Sequence, residues 1–389
     1  MMYLLKSVHL YQPEFSGVKD ILLGGTQVLA IDDSIDLPDA LPVQVIDCHG
    51  LMAAPGLVDS LVHITGGGGE GGFATRTPEM QLSDAISAGV TTLVGVLGTD
   101  SITRSLENLL AKARGLDEEG LSVFCHTGSY QVPARTLGDS VEHDIVLVDK
   151  FIGVGEVAIS DHRSSQPSRQ ELARLASQAR VGGMLSGKAG IVSVHVGDGN
   201  DRLKPLLDLV EHSDLPIQQF YPTHINRTAD LLRAGKDFAL KGGYVDLTAS
   251  TTLEILAAGE VKCSTALAEL LSAGIDASQI TISSDGFASL PDFDASGNLR
   301  GLKVGRLTSL LDEFRDAVFK DQVPIEVALK VITSSPADIL KLKHKGRIRV
   351  QADADLILLE QDTLKLDSVF AKGQLFMRDG VMIKKGYFE

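Results

Sequence analysis

The chain has 389 residues, 44% of them apolar and 22% charged, which provides for a large core and excludes a disordered protein. That length exceeds one average domain and suits an α/β barrel with a small accessory module. A formal charge of −15 argues against nucleic acid or an anionic membrane as partner, because both attract surfaces rich in Lys and Arg.

From Met1 to about Met52 the chain shows short alternating stretches punctuated by Gly and Pro: "SVHLYQ", "DILLGGTQVLAI" and "VQVIDCHG". These predict short antiparallel strands. The opening "MMYLLKSVHLYQPEF" has neither a long apolar h-region nor a small-residue cleavage site. No apolar run approaches the roughly 20 residues of a bilayer span. A cytoplasmic protein is the expectation.

Strand and helix signals alternate from 53 to 344. Candidate strands are 57–64, 91–97, 121–127, 151–159, 191–196, 217–224, 243–248 and 280–284. Helical stretches lie between them, including "SITRSLENLLAKARGLDEEG" and "SRQELARLASQARVGGML". The former pairs a Ser N-cap with apolar residues at helical spacing and a closing Gly. Eight such repeats predict an α/β fold of the (β/α)8 TIM-barrel type. The stretch 345–389 returns to the strand-like texture of the start, so 1–52 and 345–389 are expected to meet in one small sheet domain.

Cys48, Cys125 and Cys263 are odd in number and widely spaced, which predicts buried reduced thiols rather than disulfides or a zinc knuckle. The glycine cluster at 66–72 lacks the Lys-Ser/Thr of a phosphate loop and the spacing of a dinucleotide fingerprint.

Catalytic groups of a TIM barrel sit where its strands end, at the carboxyl face. The strand ends carry His63, Glu156, His195, His224 and Asp285. Singly each has an ordinary structural explanation, a hydrogen-bonded histidine or a turn aspartate. Glu156 is harder to dismiss, because "IGVGEVAIS" is otherwise apolar and an unpaired buried carboxylate is costly. Together, imidazoles and carboxylates at one barrel mouth match the donors that Zn²⁺ takes.

Several motifs carry a resemblance over nearly the whole chain: "PGLVDSLVHITGGGGEGG", "TRTPE" (75–79), "GVTTLVGVLGTDS" (89–101), "TGSYQVPART" (127–136), "ISDHRSS" (159–165), "PTHINR" (222–227), "SSDG" (283–286) and "ADADLILL" (352–359). With them the chain resembles the amidohydrolase superfamily and, within it, the isoaspartyl dipeptidase family. That resemblance implies a (β/α)8 barrel over 53–344 and a small β-sandwich built from 1–52 and 345–389. It also implies metal-dependent hydrolysis of dipeptides with an N-terminal β-linked Asp, in a homo-oligomer.

The family's site holds two zinc ions on a strand-1 His-x-His pair, a bridging carboxylated lysine, two further histidines and an aspartate. His63, His195, His224 and Asp285 match their places, whereas Leu61 replaces the first His and Glu156 the lysine. Glu supplies directly the carboxylate that the lysine gains only after carbamate formation. The altered set therefore implies one tightly held Zn²⁺ on Glu156, His195 and His224, three ligands with a position open for water. A second, weaker ion would use His63 and Asp285 with Glu156 bridging.

By the same resemblance Asp285 is the general base and the Tyr130 hydroxyl supports the developing oxyanion. Glu70 pairs with the substrate's α-ammonium group, Gly68 offers a backbone contact, Arg163 and Arg227 hold carboxylates, and Thr99 and Ser289 add smaller polar contacts. Two rival readings stay open. An N-acyl amino acid deacylase is opposed by Glu70, since an acylated amine carries no charge to pair with it. A non-catalytic binding barrel draws support from Leu61 and is opposed by Glu156 and Asp285.

Overall fold

The computed structural model describes residues 1–293 and 299–389. The N-terminal strands are β1 (Met2–Tyr11), β2 (Phe15–Gly24), β3 (Gln27–Asp32), β4 (Val43–Asp47) and β5 (Leu51–Pro55). The antiparallel expectation holds for β1–β2 and β2–β3 but not throughout, since β4 and β5 both run parallel to β1. The connection 33–42 carries the chain back across the sheet, which allows the parallel return.

The barrel strands follow: β6 (Leu57–Val62), β7 (Val90–Gly95), β8 (Ser122–Thr127), β9 (Phe151–Ile159), β10 (Ile191–Val196), β11 (Phe220–Thr223), β12 (Val245–Thr248) and β13 (Ile280–Ser283). β6 to β11 form a six-stranded parallel sheet in chain order, and β12 pairs with β13. Between β11 and β12 the link is the Ile225 N–H donating to the Asp246 carbonyl at 3.2 Å. β13 returns to β6 through the His63 N–H and Gly286 carbonyl at 2.9 Å. The result is a TIM-barrel-like α/β domain. The predicted strand 217–224 is shorter than expected because Ile217–Gln219 forms a 3₁₀ turn after Pro216.

Between strands the helices pack apolar stripes onto the barrel. In the helix Leu106–Glu119, Ser105 caps the N-terminus by accepting from the Asn108 N–H, and Gly120 closes it at φ 125°. Leu106, Leu109, Ala113 and Leu116 face inward at helical spacing. Each buried leucine contributes ~1.5–3 kcal/mol. The longer helix Arg169–Ser186 starts with a Ser168–Glu171 capping box.

After β13 the chain forms a hairpin, β14 (Ser289–Phe293) and β15 (Leu299–Val304), beside the barrel mouth. It ends with β16 (Leu356–Glu360), β17 (Leu366–Ala371), β18 (Gln374–Arg378) and β19 (Val381–Met382). These join β1–β5 in one nine-stranded sheet, with β16 antiparallel to β5. Alternation along β16 explains its two-sided burial: Leu356 and Leu358 enter the sheet's own core with Leu5, Leu10 and Phe370, while Ile357 and Leu359 pack into the barrel core. Cys48, Cys125 and Cys263 are all buried free thiols. Among the described residues no helix is long and apolar enough to cross a membrane.

Candidate active site

The carboxyl ends of the strands turn sharply. His224 follows β11 at φ 63° and Asp285 follows β13 at φ 50°, left-handed conformations that cost a non-glycine residue of order 1–3 kcal/mol. Such bends aim both side chains into the mouth of the barrel. His195 lies within β10 rather than after it, and Glu156 within β9.

Glu156 is 1% exposed, and its Oε1 lies 3.0 Å from His195 Nδ1 and 2.9 Å from His224 Nε2. The far nitrogen of each imidazole is engaged elsewhere: His195 Nε2 meets Asp161 Oδ2 at 2.9 Å, and His224 Nδ1 meets Thr248 Oγ1 at 2.7 Å. With those far nitrogens donating, the lone pairs of His195 Nδ1 and His224 Nε2 would be free for a metal; without one, the same two nitrogens are placed to donate to Glu156 Oε1. Burial raises the Glu156 pKa, but hydrogen bonds from His195 and His224 outweigh it and hold the group well below the ordinary carboxylate value. Burial and the Arg227 charge push His224 down to about 4, so its imidazole is neutral near pH 7. Glu156 Oε2 is buried without a partner among the described residues. Three donor atoms within 4.8 Å of one another, two imidazole nitrogens and a carboxylate oxygen, fit a metal cation.

The other half of the predicted metal shell is a separate pair. His63 Nε2 lies 3.3 Å from Asp285 Oδ1, while His63 Nδ1 is buried and unpartnered. Burial lowers the His63 pKa, but the Asp285 hydrogen bond and charge raise it more. Leu61, two residues before His63, is buried and apolar.

One cavity opens above these groups. His63, Tyr130, His195 and Asp285 line it, together with Gly68, Glu70, Thr99, Arg163, Arg227 and Ser289. Every residue expected to touch substrate is therefore there, with Glu156 and His224 just behind His195. The Tyr130 hydroxyl is 2.8 Å from His195 Nδ1, and burial followed by the Glu156 charge keeps its pKa well above the ordinary tyrosine value. Glu70 Oε1 accepts from the Thr99 hydroxyl at 2.8 Å and lies 3.4 Å from Arg163 Nη1. Gly68 sits at φ 69°, where a Cβ would come within 2.7 Å of the Thr75 carbonyl, so only glycine fits.

Two residues that no sequence signal singled out belong to this cluster. Asp161 is buried and bridges His195 to Arg163, accepting from Arg163 Nε at 2.9 Å and Nη2 at 2.7 Å. Arg104 lines the cavity from below the glycine-rich turn. His162, between Asp161 and Arg163, points away with its side chain 87% exposed. His126 is fully buried, with both ring nitrogens unpartnered, and burial lowers its pKa to about 4.

A parallel barrel with histidines and carboxylates gathered at the carboxyl ends of its strands has its reactive groups where barrel enzymes build their active sites. Residues 52–385 match the model of the amidohydrolase family, and the chain belongs to that family, as a hydrolase of amide bonds. The chain superposes with a TM-score of 0.90 and 46% identity on the β-aspartyl dipeptidase of the thermophilic, keratin-degrading Fervidobacterium islandicum AW-1 in complex with β-Asp-Leu. That match covers 98% of both chains. The chain is 26% identical to an allantoinase of Enterococcus faecalis in an alignment covering 88% of this chain and 83% of that one. It is 25% identical to a dihydroorotase of Elusimicrobium minutum over 54% of this chain. The chain spans 49% of that dihydroorotase, about half the length of the curated relative.

Proposed function

We propose that the protein hydrolyses isoaspartyl dipeptides, releasing β-linked aspartate from the following residue. Charge complementarity carries this reading. Such a dipeptide bears one α-ammonium and two carboxylates at neutral pH; the cavity is lined by the carboxylates of Glu70, Asp100 and Asp285 and the guanidinium groups of Arg104, Arg163 and Arg227, and of these Glu70 is matched to the ammonium and Arg163 and Arg227 to the carboxylates. The dipeptidase of F. islandicum, solved with β-Asp-Leu, supports the same substrate class.

On this reading Glu156, His195 and His224 would hold one Zn²⁺, and His63 and Asp285 with Glu156 would hold a weaker second ion. Zinc held there would supply Lewis-acid chemistry, lowering the pKa of a bound water and polarising the scissile carbonyl. Asp285 takes up the proton and delivers it to the departing amine, and its contact with His63 keeps it ionised for the first of those transfers. Tyr130, held protonated by burial, donates to the oxygen on which negative charge develops. Arg163 and Arg227 fix the carboxylates with guanidinium forks, and Glu70 fixes the ammonium group. We read 53–344 as the barrel unit, and 1–52 with 345–389 as a sandwich. The separate core around Leu5, Leu10 and Phe370 supports that division.

Leucine release from β-aspartyl-leucine, α-aspartyl-leucine and N-acetyl-leucine tests the reading. The expected result is cleavage of the β-linked substrate alone, lost on chelation and restored by zinc. Cleavage of N-acetyl-leucine instead would make the protein a deacylase, and no cleavage with zinc bound would refute both.

A further inference from the structure

The guanidinium of Arg104 is 5% exposed, and its polar contacts among the described residues are backbone carbonyls rather than carboxylates. Nη1 donates to the Thr65 carbonyl, while Nη2 donates to those of Gly67 at 3.2 Å and Thr77 at 2.9 Å. Thr65 and Gly67 form the root of the glycine-rich turn, and Thr77 lies on its returning limb. A buried cation without a counter-ion is costly unless its donors are used. Here Nη1 and Nη2 gather three carbonyls that would otherwise repel one another, while Nε is buried with no partner among the described residues.

Arg104 belongs to a different loop, between β7 and the helix Leu106–Glu119, and that loop touches the glycine turn again at its tip. There the Thr99 hydroxyl donates to Glu70 Oε1 at 2.8 Å. The turn is also tied to the loop after β13, because Thr77 Oγ1 donates to the Phe287 carbonyl at 2.6 Å and accepts from the Gly67 N–H at 2.6 Å. With the Gly67 carbonyl turned toward Arg104, the N–H of Gly68, antiparallel to it in the same trans peptide, is turned the other way.

We propose that Arg104 is a positioning residue for substrate recognition: it clamps the root of the glycine-rich turn so that Gly68 N–H and Glu70 are presented to the ammonium end of the ligand. The ligand assignment rests on the dipeptidase reading, whereas the clamp itself does not. A lysine could not replace it, since an ammonium is a compact point charge and the three carbonyls are spanned by a planar fork.

Two measurements on Arg104→Met and Arg104→Lys test this. In hydrogen–deuterium exchange, amides of residues 65–79 should exchange at least about tenfold faster in Arg104→Met, with the barrel strands unchanged. Arg104→Lys should fall between the two. In kinetics, the kcat/KM preference for β-aspartyl-leucine over its des-amino analogue, succinyl-leucine, should fall about tenfold, because the Glu70–ammonium contact exists with the first substrate alone, whereas a change at Gly68 N–H affects both. Unchanged exchange in 65–79 would overturn the clamp. So would faster exchange throughout the protein, or equal loss on both substrates, which would mark Arg104 as a general stability residue. If the wild-type protein turns over neither substrate, the dipeptidase reading fails and the exchange result still decides the clamp.

Discussion

Replacing Asp161 with Asn should weaken zinc binding although Asp161 is not itself placed to touch the ion. Its Oδ1 accepts from the Arg163 N–H at 2.8 Å and Nε at 2.9 Å, and its Oδ2 from Arg163 Nη2 at 2.7 Å and His195 Nε2 at 2.9 Å. An amide retains one accepting oxygen. If that oxygen stays with Arg163 N–H and Nε, the new NH₂ faces His195 Nε2 and can be satisfied only if that nitrogen accepts. The imidazole proton then moves to Nδ1, the atom 3.0 Å from Glu156 and the one expected to bind metal. Loss of a group orienting a ligand histidine typically costs 10–100-fold in metal affinity, ~1.4–2.7 kcal/mol. Competition of metal-free protein against a chromophoric chelator measures this directly, with thermal midpoints checking that the fold is retained. Zinc affinity of Asp161→Asn within about twofold of wild type would refute the tautomer argument.

Glu156→Gln should abolish stoichiometric zinc by elemental analysis and lower kcat/KM by about a thousandfold or more, since the only carboxylate between His195 and His224 becomes a neutral amide. Gly98→Ala places a Cβ 2.9 Å from His63 Cε1, so it should displace His63, lower kcat/KM about tenfold and leave the zinc on Glu156, His195 and His224 in place. Lys345 is 7% exposed with Nζ 2.5 Å from Asp355 and 2.7 Å from Asp353, and Lys345→Met should cost about 3–5 kcal/mol by stranding the buried Asp355 carboxylate, read as a lower denaturation midpoint. Although burial lowers the Lys345 pKa, the Asp355 and Asp353 charges raise it more, so this contribution is complete below the ordinary lysine value of 10.5 and fades as pH rises through the higher folded value. An alkaline loss of stability in wild type that is smaller in Lys345→Met is the expected signature.

The barrel was legible because its strands are continuous apolar runs separated by amphipathic helices with sequence-encoded caps such as Ser105 and Ser168. Direction within the terminal sheet was not, because alternation reports which face is buried and not whether a neighbour runs parallel. Glu156 was legible as a carboxylate in an apolar strand, and its burial shows the compensation that chemistry requires, two imidazoles on one oxygen. Asp161 escaped notice because a polar loop residue after a strand carries no local mark of an imidazole 34 positions away. Arg104 reads in sequence as a charge before a helix, and what sets it apart is that the carbonyls it serves come from a different loop.

The antiparallel pairing of β5 with β16 has a consequence for how the chain is made. Pro55 lies opposite Leu356, so the strand leading into the barrel is completed by the strand that follows it, about 300 residues later. At typical rates of synthesis the second strand emerges roughly 15–60 s after the first. Through that interval one side of β5 offers unpaired N–H and C=O groups, a template for wrong partners. The barrel segments emerge and can pair in chain order, but the terminal sheet cannot close until nearly the whole polypeptide has emerged.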